Sequence, residues 1–210
     1  MNIDYLGDAL DHWKGSVIEQ LRPVLHNLRV VPMCMEEEWT PKHRCLYARL
    51  LGVRSEDDVF WDAFNRNRRR YFENCQRFAG DSDLFLDPDT GIEPISGCKK
   101  CHVGLDNLRC LLPDNSRRLV MVYQHRSRIR HGVEDVLDRN SVEDVLERIR
   151  QRGWLAGAYW AGAASMLFLS RKQGRVAGVR DRLDKWLGPC SVGKKDGHPP
   201  RRLFFIGLAE

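Results

Sequence analysis

Asp83-Leu84-Phe85-Leu86-Asp87-Pro88-Asp89-Thr90-Gly91-Ile92-Glu93 sets a short apolar run against carboxylates, a proline and a glycine. Leu84, Phe85 and Leu86 suit a buried strand. Pro88 lacks the N–H that a sheet ladder needs, and Gly91 permits a tight turn, so the strand is expected to end near Asp87. Asp87 and Asp89 then stand at its carboxyl edge, which is where open α/β sheets bind ligands. Two carboxylates there, with Asp8 or Glu93 to help, suit a Mg²⁺ or Mn²⁺ ion that activates water against a phosphodiester. The plainer reading is a turn, since Asp, Pro and Gly are the commonest turn formers. A calcium loop is excluded by spacing, because its closing Glu would fall on Cys98.

Lys14 is the second chemical oddity. Leu10, Trp13, Val17, Ile18 and Leu21 recur at helical spacing, predicting a helix over residues 5–22 that Pro23 stops. Lys14 falls inside that apolar stripe. A cation aimed into an apolar face needs an anion, and Asp11, one turn earlier, is placed to supply it. The alternative is a lysine stem that snorkels to water. Both Lys14 and Asp87 lack a partner in their own neighbourhood that would fully account for them, so the helix is expected to pack with Lys14, Asp11 and Asp8 facing the Asp87 turn.

Other candidates are scattered along the chain. Arg118-Leu119-Val120-Met121-Val122-Tyr123 reads as a buried strand ending in Gln124 and His125, and as a parallel neighbour of the Asp87 strand it brings both residues to the same edge. His125 there is either a proton carrier or a structural histidine. Arg66, Arg68, Arg69 and Arg70 lie beside Tyr71 and Phe72, and Arg126 and Arg128 follow His125; arginines interleaved with aromatics suit phosphate contacts and base stacking, or simply a solvated face. Cys98, Cys101 and Cys110 give part of a Zn²⁺ ligand set, which His102, Cys75 or His125 would have to complete; otherwise they are thiols of an insertion at 94–112.

The elements that must position these groups follow from periodicity. Residues 28–33 read as a strand, Pro41 opens a helix to about Leu51, and Ser55 caps a longer helix over 56–78. A helix, or a pair breaking near Asn140-Ser141, runs from about Val133 to Gly153. A strand over 164–170, a helix over 176–187 and a closing strand over 203–206 complete the chain. This alternation predicts one three-layer α/β domain over residues 1–210.

Composition bounds the rest. At 210 residues, 42% hydrophobic and 30% charged, the chain is long enough for a proper core and is not a disordered polyelectrolyte. Its net charge of +5 makes nucleic acid a plausible partner. The first residues carry Asp4, Asp8 and Asp11 and do not read as a secretory signal, and the uncharged run from Trp154 to Leu169 is short for a membrane span. The expectation is a cytoplasmic protein with no membrane segment, its seven cysteines reduced.

Gly7-Asp8-Ala9-Leu10-Asp11-His12-Trp13-Lys14 resembles the amino-terminal Gly-Asn-x-x-Asp-x-x-Lys signature of bacterial rRNA adenine methyltransferases, and Leu86-Asp87-Pro88-Asp89 resembles their Asp-Pro-Pro-Tyr motif. The chain also resembles a broader set of uncharacterised bacterial proteins that share Gly-Asp-x-x-Asp-x-x-Lys, an Asp-Pro-Asp-(Thr/Asn)-Gly turn and a Tyr-Gln-His strand end. The resemblance implies a Rossmann-like fold with a mostly parallel sheet and S-adenosylmethionine as cofactor. It places Asp8, Asp11 and Lys14 at the cofactor pocket and Asp87 as acceptor for the target amine. Asp8, Asp89 and Thr90 depart from the family pattern, and no glycine-rich loop follows Met33. Three functions stand open: methyl transfer to nucleic acid, metal-dependent nucleic-acid hydrolysis, and nucleic-acid binding without catalysis.

Overall fold

The structure, a computed structural model, describes residues 3–34, 39–64, 67–92, 102–125, 136–161, 164–188 and 203–206, with the side chains of 136–141 and 206 left aside. In chain order the helices are α1 (Ala9–Leu21), α2 (Pro41–Leu50), α3 (Arg68–Ala79), α4 (Leu105–Leu111), α5 (Val136–Gln151) and α6 (Gln173–Leu187). The strands are β1 (Arg29–Val31), β2 (Leu84–Leu86), β3 (Gly91–Ile92), β4 (His102–Val103), β5 (Val120–His125), β6 (Leu155–Trp160), β7 (Ala164–Ser170) and β8 (Leu203–Ile206). This is a mixed α/β chain, and none of its described helices is long and apolar enough to cross a membrane.

Six of these strands form one sheet in the order β1-β2-β5-β7-β6-β8. β1, β2 and β5 pair in parallel, with Val30 beside Phe85 and Phe85 beside Met121. β7 runs against both β5 and β6, and β8 against β6. Four of the six thus point one way, with the parallel pairs on the β1 side. The β6–β7 pair was not expected within the Trp154 to Leu169 run. Only residues 161–163 separate these strands, too few for the crossover that a parallel pair requires, so they fold back on each other.

Successive residues of each strand serve two different cores. Val30, Phe85, Met121, Met166 and Phe168 pack with Val17 and Ile18 of α1, Tyr47 of α2 and Val179 of α6. Val31, Leu86, Val122, Leu167 and Leu169 pack with Phe72 of α3, Leu108 of α4 and Leu146 of α5. The near-continuous apolar runs of β2, β5 and β7 are those of strands covered on both faces. Each fully buried Leu or Phe contributes about 1.5–3 kcal/mol, which is why these short strands persist.

One expectation about helices fails, and of two alternatives for another the single helix holds. The helix expected over 56–78 begins as one 3-10 turn, Glu56–Asp58, whose cap is Ser55 as anticipated, and then opens out. Val59 bridges Val30, and Phe60 N–H donates to the Val30 carbonyl at 2.8 Å, so the free edge of β1 draws this segment into extended form. α3 restarts later, capped by Asn67. The break considered near Asn140-Ser141 is absent, because α5 runs straight through it. In the 94–112 segment, β4 pairs with β3, and α4 buries Leu105, Leu108 and Leu111, so residues 102–112 belong to the main core.

Candidate functional site

Buried polar groups gather at both ends of the sheet, and their partners distinguish the two. At the amino edge Asp83 accepts from the backbone N–H groups of His26 at 2.6 Å and Leu119 at 2.8 Å, and pairs with Arg175. Arg118 donates to the carbonyls of Ser82 at 2.7 Å and Leu111 at 2.8 Å. These groups mostly satisfy backbone that would otherwise be orphaned, a structural task. At the carboxyl edge the buried polar groups are satisfied by one another's side chains.

That second cluster is built by four elements, α1, α2, β2 and β5. Asp8 caps α1, accepting from the N–H groups of Leu10 at 2.8 Å and Asp11 at 3.0 Å. The start of α1 is thereby fixed, and its first two turns carry Asp11 and Lys14, 1% and 3% exposed. The Lys14 ammonium lies 2.9 Å from Asp11 Oδ1 and 2.9 Å from Asp87 Oδ1, and 4.2 Å from the centre of the Tyr123 ring. Asp87, 1% exposed, follows β2 directly. Its Oδ2 accepts from the Tyr47 hydroxyl of α2 at 2.8 Å. Asp11 uses its other oxygen for the Gly7 N–H, also at 2.8 Å.

The charges follow from this geometry. Burial works to lower the Lys14 ammonium, but Asp87 and Asp11 together outweigh it and hold the group above the usual lysine range. Burial lifts the Asp11 carboxyl above its ordinary value, against the opposing pull of Lys14 and the Gly7 N–H. The two partners thus shift in the same direction. Lys14 is surrounded by carboxylates on two sides, whereas Asp11 has only one cation to offset its desolvation. Tyr47 is pushed up by burial and then by Asp87, and Tyr123 is pushed up to about 12 by burial although Lys14 opposes it. At neutral pH the cluster therefore holds a fixed ammonium and two phenols. Lys14 is a positive charge and not a base or nucleophile.

The Asp87 turn is held from β5. Gln124 accepts from the Ile92 N–H at 2.8 Å and donates to the Thr90 carbonyl at 3.1 Å. Gly91 sits at φ 104°, and a Cβ there would overlap the Gln124 carboxamide. Asp89 and Thr90 stay half-buried at the rim, as does Asp8. His125, also half-buried, stands edge-on to Tyr123 with ring centres 6.2 Å apart. Cys34, buried past the end of β1, feels Asp87, and burial raises its thiol to about 12.

The expected meeting of Lys14, Asp11 and Asp87 is thus present, as is the parallel β2–β5 pairing that brings Gln124 beside the turn. Asp8 serves as the cap of α1. Of the arginines, Arg68 is turned inward: it bonds the His102 carbonyl and, at 3.2 Å, Asn107 Oδ1. Arg69 pairs with Glu73 on the exposed face at 2.9 Å, and Arg70 is exposed. Cys110 is an exposed thiol on α4. Arg66, Arg126, Arg128, Glu93, Cys98 and Cys101 lie outside the described residues. Among the described residues no group of three or more His, Cys, Asp or Glu is placed to hold a metal.

Tyr47 was missed. Its only sequence signal is a phenol beside Ala48 on the apolar side of its helix, and a buried phenol usually finds a hydrogen-bond partner. Set against protein-family models, curated proteins and solved structures, the chain matches none of them.

Proposed function

We propose that this protein is a nucleic-acid-acting enzyme of the methyltransferase-like class, built on a three-layer Rossmann-like frame and working in the cytoplasm with S-adenosylmethionine. The observation that carries the reading is the buried bridge from Asp11 through Lys14 to Asp87, which ties the first turn of α1 to the carboxyl end of β2. Parallel α/β sheets take their ligands at that edge. The cluster sets two carboxyl groups against one ammonium, which suits a cationic ligand. S-adenosylmethionine would supply a methyl group on a sulfonium. Asp8, Asp11 and the Asp87 turn are the groups placed to hold its cationic end, while Lys14 holds the Asp11 and Asp87 carboxyl groups in place. Arg69 and Arg70 begin α3, whose first residue Arg68 is bonded beside β4, so they sit toward the same edge as phosphate contacts.

The hydrolytic reading fits the residues less well. An ion at Asp87 and Asp89 would meet the Lys14 ammonium already within 2.9 Å of Asp87 Oδ1 and 3.0 Å of Oδ2, with the Tyr47 hydroxyl 2.8 Å from the same Oδ2. A divalent cation would have to displace a buried ammonium from its partners, at a cost of several kcal/mol. Calorimetry separates the readings. Saturable binding of S-adenosylmethionine, lost in Asp87→Asn, is the expected result. Binding of Mg²⁺ or Mn²⁺ with no response to S-adenosylmethionine would move the assignment to hydrolysis. Oligonucleotide binding unchanged in Asp87→Asn, with neither ligand bound, would leave a non-catalytic binding module.

A further inference from the structure

The start of α2 holds three polar side chains that the Lys14 bridge does not use. Trp39, 6% exposed, lies just before the Thr40 cap, and its ring packs against those of Tyr47 and Trp61, with ring centres 5.5 Å away in each case. Tyr47 is nearly two turns into the helix, so the indole runs back along the face that carries His43 and Tyr47. Arg44 donates to the Trp39 carbonyl at 3.2 Å, and its guanidinium lies 5.3 Å from the centre of the Trp61 ring. The Arg44 charge also acts on Cys34, past the end of β1, which sets the cluster at the carboxyl edge. Trp39 and Tyr47 form its floor, half-buried His43, Arg44 and Trp61 its wall, and exposed Lys42 its rim.

Two of these groups lack the partners that burial demands. The Trp39 indole N–H and His43 Nδ1 are both buried and have no hydrogen-bond partner, whereas the Trp61 N–H reaches the Glu56 carbonyl at 3.2 Å. Arg44 has no carboxylate partner among the described residues. An indole N–H and a guanidinium can only donate, and an imidazole can donate as well. The partner missing from all three is therefore an acceptor, and beside a guanidinium an anionic one. The helix adds to this preference, since α2 carries Lys42, Arg44 and Arg49, no acidic residue, and the positive end of its dipole at this start. In the acidic turn that touches α2, Glu56 and Asp57 are exposed and Asp58 pairs with Arg29 at 3.6 Å. Glu36, Glu37 and Glu38 precede Trp39 in the sequence and oppose an anion, which sets a modest affinity.

We propose that Trp39, His43 and Arg44 form an oxyanion subsite for a phosphate group on the α2 side of the carboxyl edge. The half-buried His43 and Arg44 side chains turn aside to admit the group, which accepts from the Trp39 N–H at the floor and pairs with the guanidinium. Arg44, Lys42 and the helix start together offer more than one positive charge, which matches a phosphate dianion better than a carboxylate. Free phosphate and a nucleoside phosphate share this chemistry. Tyr47 ties the same helix to Asp87 at 2.8 Å, so the subsite adjoins the Lys14 cluster without sharing its ion pairs. It stands whether or not the protein transfers a methyl group.

The test is titration of the isotope-labelled full chain with phosphate, adenosine monophosphate, adenosine and acetate, at an ionic strength held constant with sodium chloride. The indole N–H signals are followed by NMR, and Trp39→Phe identifies the Trp39 signal by its loss. Phosphate is expected to shift that signal saturably, with a Kd of about 1 mM. Arg44→Gln should weaken binding about 10- to 150-fold, while Arg49→Gln, which removes an exposed charge of the same helix, should change it less than about 2-fold. Circular dichroism establishes that the variants fold, and calorimetry of phosphate with native and Arg44→Gln protein gives the same comparison if Trp39→Phe does not. Tighter binding of adenosine monophosphate than of phosphate or adenosine names a nucleotide as the source; equal binding of the two phosphates supports the subsite and names the phosphate group alone. No response to either phosphate, a response to adenosine alone, or an equal response to acetate overturns the subsite. Equal losses in Arg44→Gln and Arg49→Gln also overturn it, since the attraction would then be diffuse charge.

Discussion

Lys14 has three neighbours, Asp11, Asp87 and the Tyr123 ring, and the pair of carboxylates decides its energetics. Lys14→Met leaves two buried carboxylates without a cation and is expected to cost about 3–5 kcal/mol at pH 7. The loss depends on pH. Asp11 is already raised by burial, and the substitution removes the Lys14 attraction that opposes this. A carboxyl whose folded pKa lies above its unfolded value binds more protons in the folded state, so stability falls as pH rises through that range. The gap between Lys14→Met and native protein should therefore shrink from pH 7 to pH 5 in urea melts; a constant gap would mean that Asp11 stays ionised. Asp87→Asn keeps an oxygen for Tyr47 and leaves a neutral Asp11–Lys14 pair, so it should cost less than half as much while still abolishing ligand binding. Tyr47→Phe removes a hydrogen bond to a charged acceptor, about 1.5–3 kcal/mol, and a melt unchanged from native would show that the Asp87 carboxylate does not need it.

At the scale of elements, the site depends on close approaches that glycines permit. Gly15 lies where α1 meets the end of α2, and a Cβ there would overlap the Leu50 carbonyl. That contact lets α1 and α2 lie side by side over β2, so Lys14 and Tyr47 both reach the Asp87 carboxylate. The clasp from β5 is the second such device. Gly91→Ala forces a side chain into a left-handed backbone and into the Gln124 carboxamide, and is expected to cost about 1–3 kcal/mol. Gln124→Ala makes room, so the double variant should lose less than the sum of the singles. Strict additivity in urea melts would mean that Gln124 does not hold the turn.

The whole molecule presents its arginines unequally. Arg69 and Arg70 point outward from the start of α3, whereas Arg68 is spent on the His102 carbonyl and Asn107. Replacing Arg69 and Arg70 by alanine should weaken single-strand binding and flatten its salt dependence by about 1.4 in log–log slope, at roughly 0.7 per phosphate contact. Arg68→Ala should instead lower the melting temperature. An unchanged slope in the double variant would place the phosphate path elsewhere. The cysteines form a separate question of metal content: if Cys98, Cys101 and Cys110 hold zinc, elemental analysis should find near-stoichiometric metal that Cys101→Ser removes, and metal-free native protein would leave them as thiols.

The sequence by itself determined where most strands and helices lie, because apolar period and caps are local signals. Leu84 to Leu86 and Val120 to Val122 announce buried strands, and Pro41 marks a helix start. It also marked Lys14 as a cation inside an apolar stripe, which is costly unless it meets a carboxylate or reaches water. What it did not determine depends on contacts between distant segments. The stretch around Val59 and Phe60 has helical periodicity, and only the vacant edge of β1 pulls it into extended form. Tyr47 looks like any core phenol until α2 is laid over β2. Trp39, Tyr47 and Trp61 show no common spacing in the sequence. The bridge from Val59 to Val30 brings Trp61 back beside α2, where its ring meets those of Trp39 and Tyr47. Register and packing, set by burial of both sheet faces at once, are therefore what turned scattered aromatic and charged residues into a site.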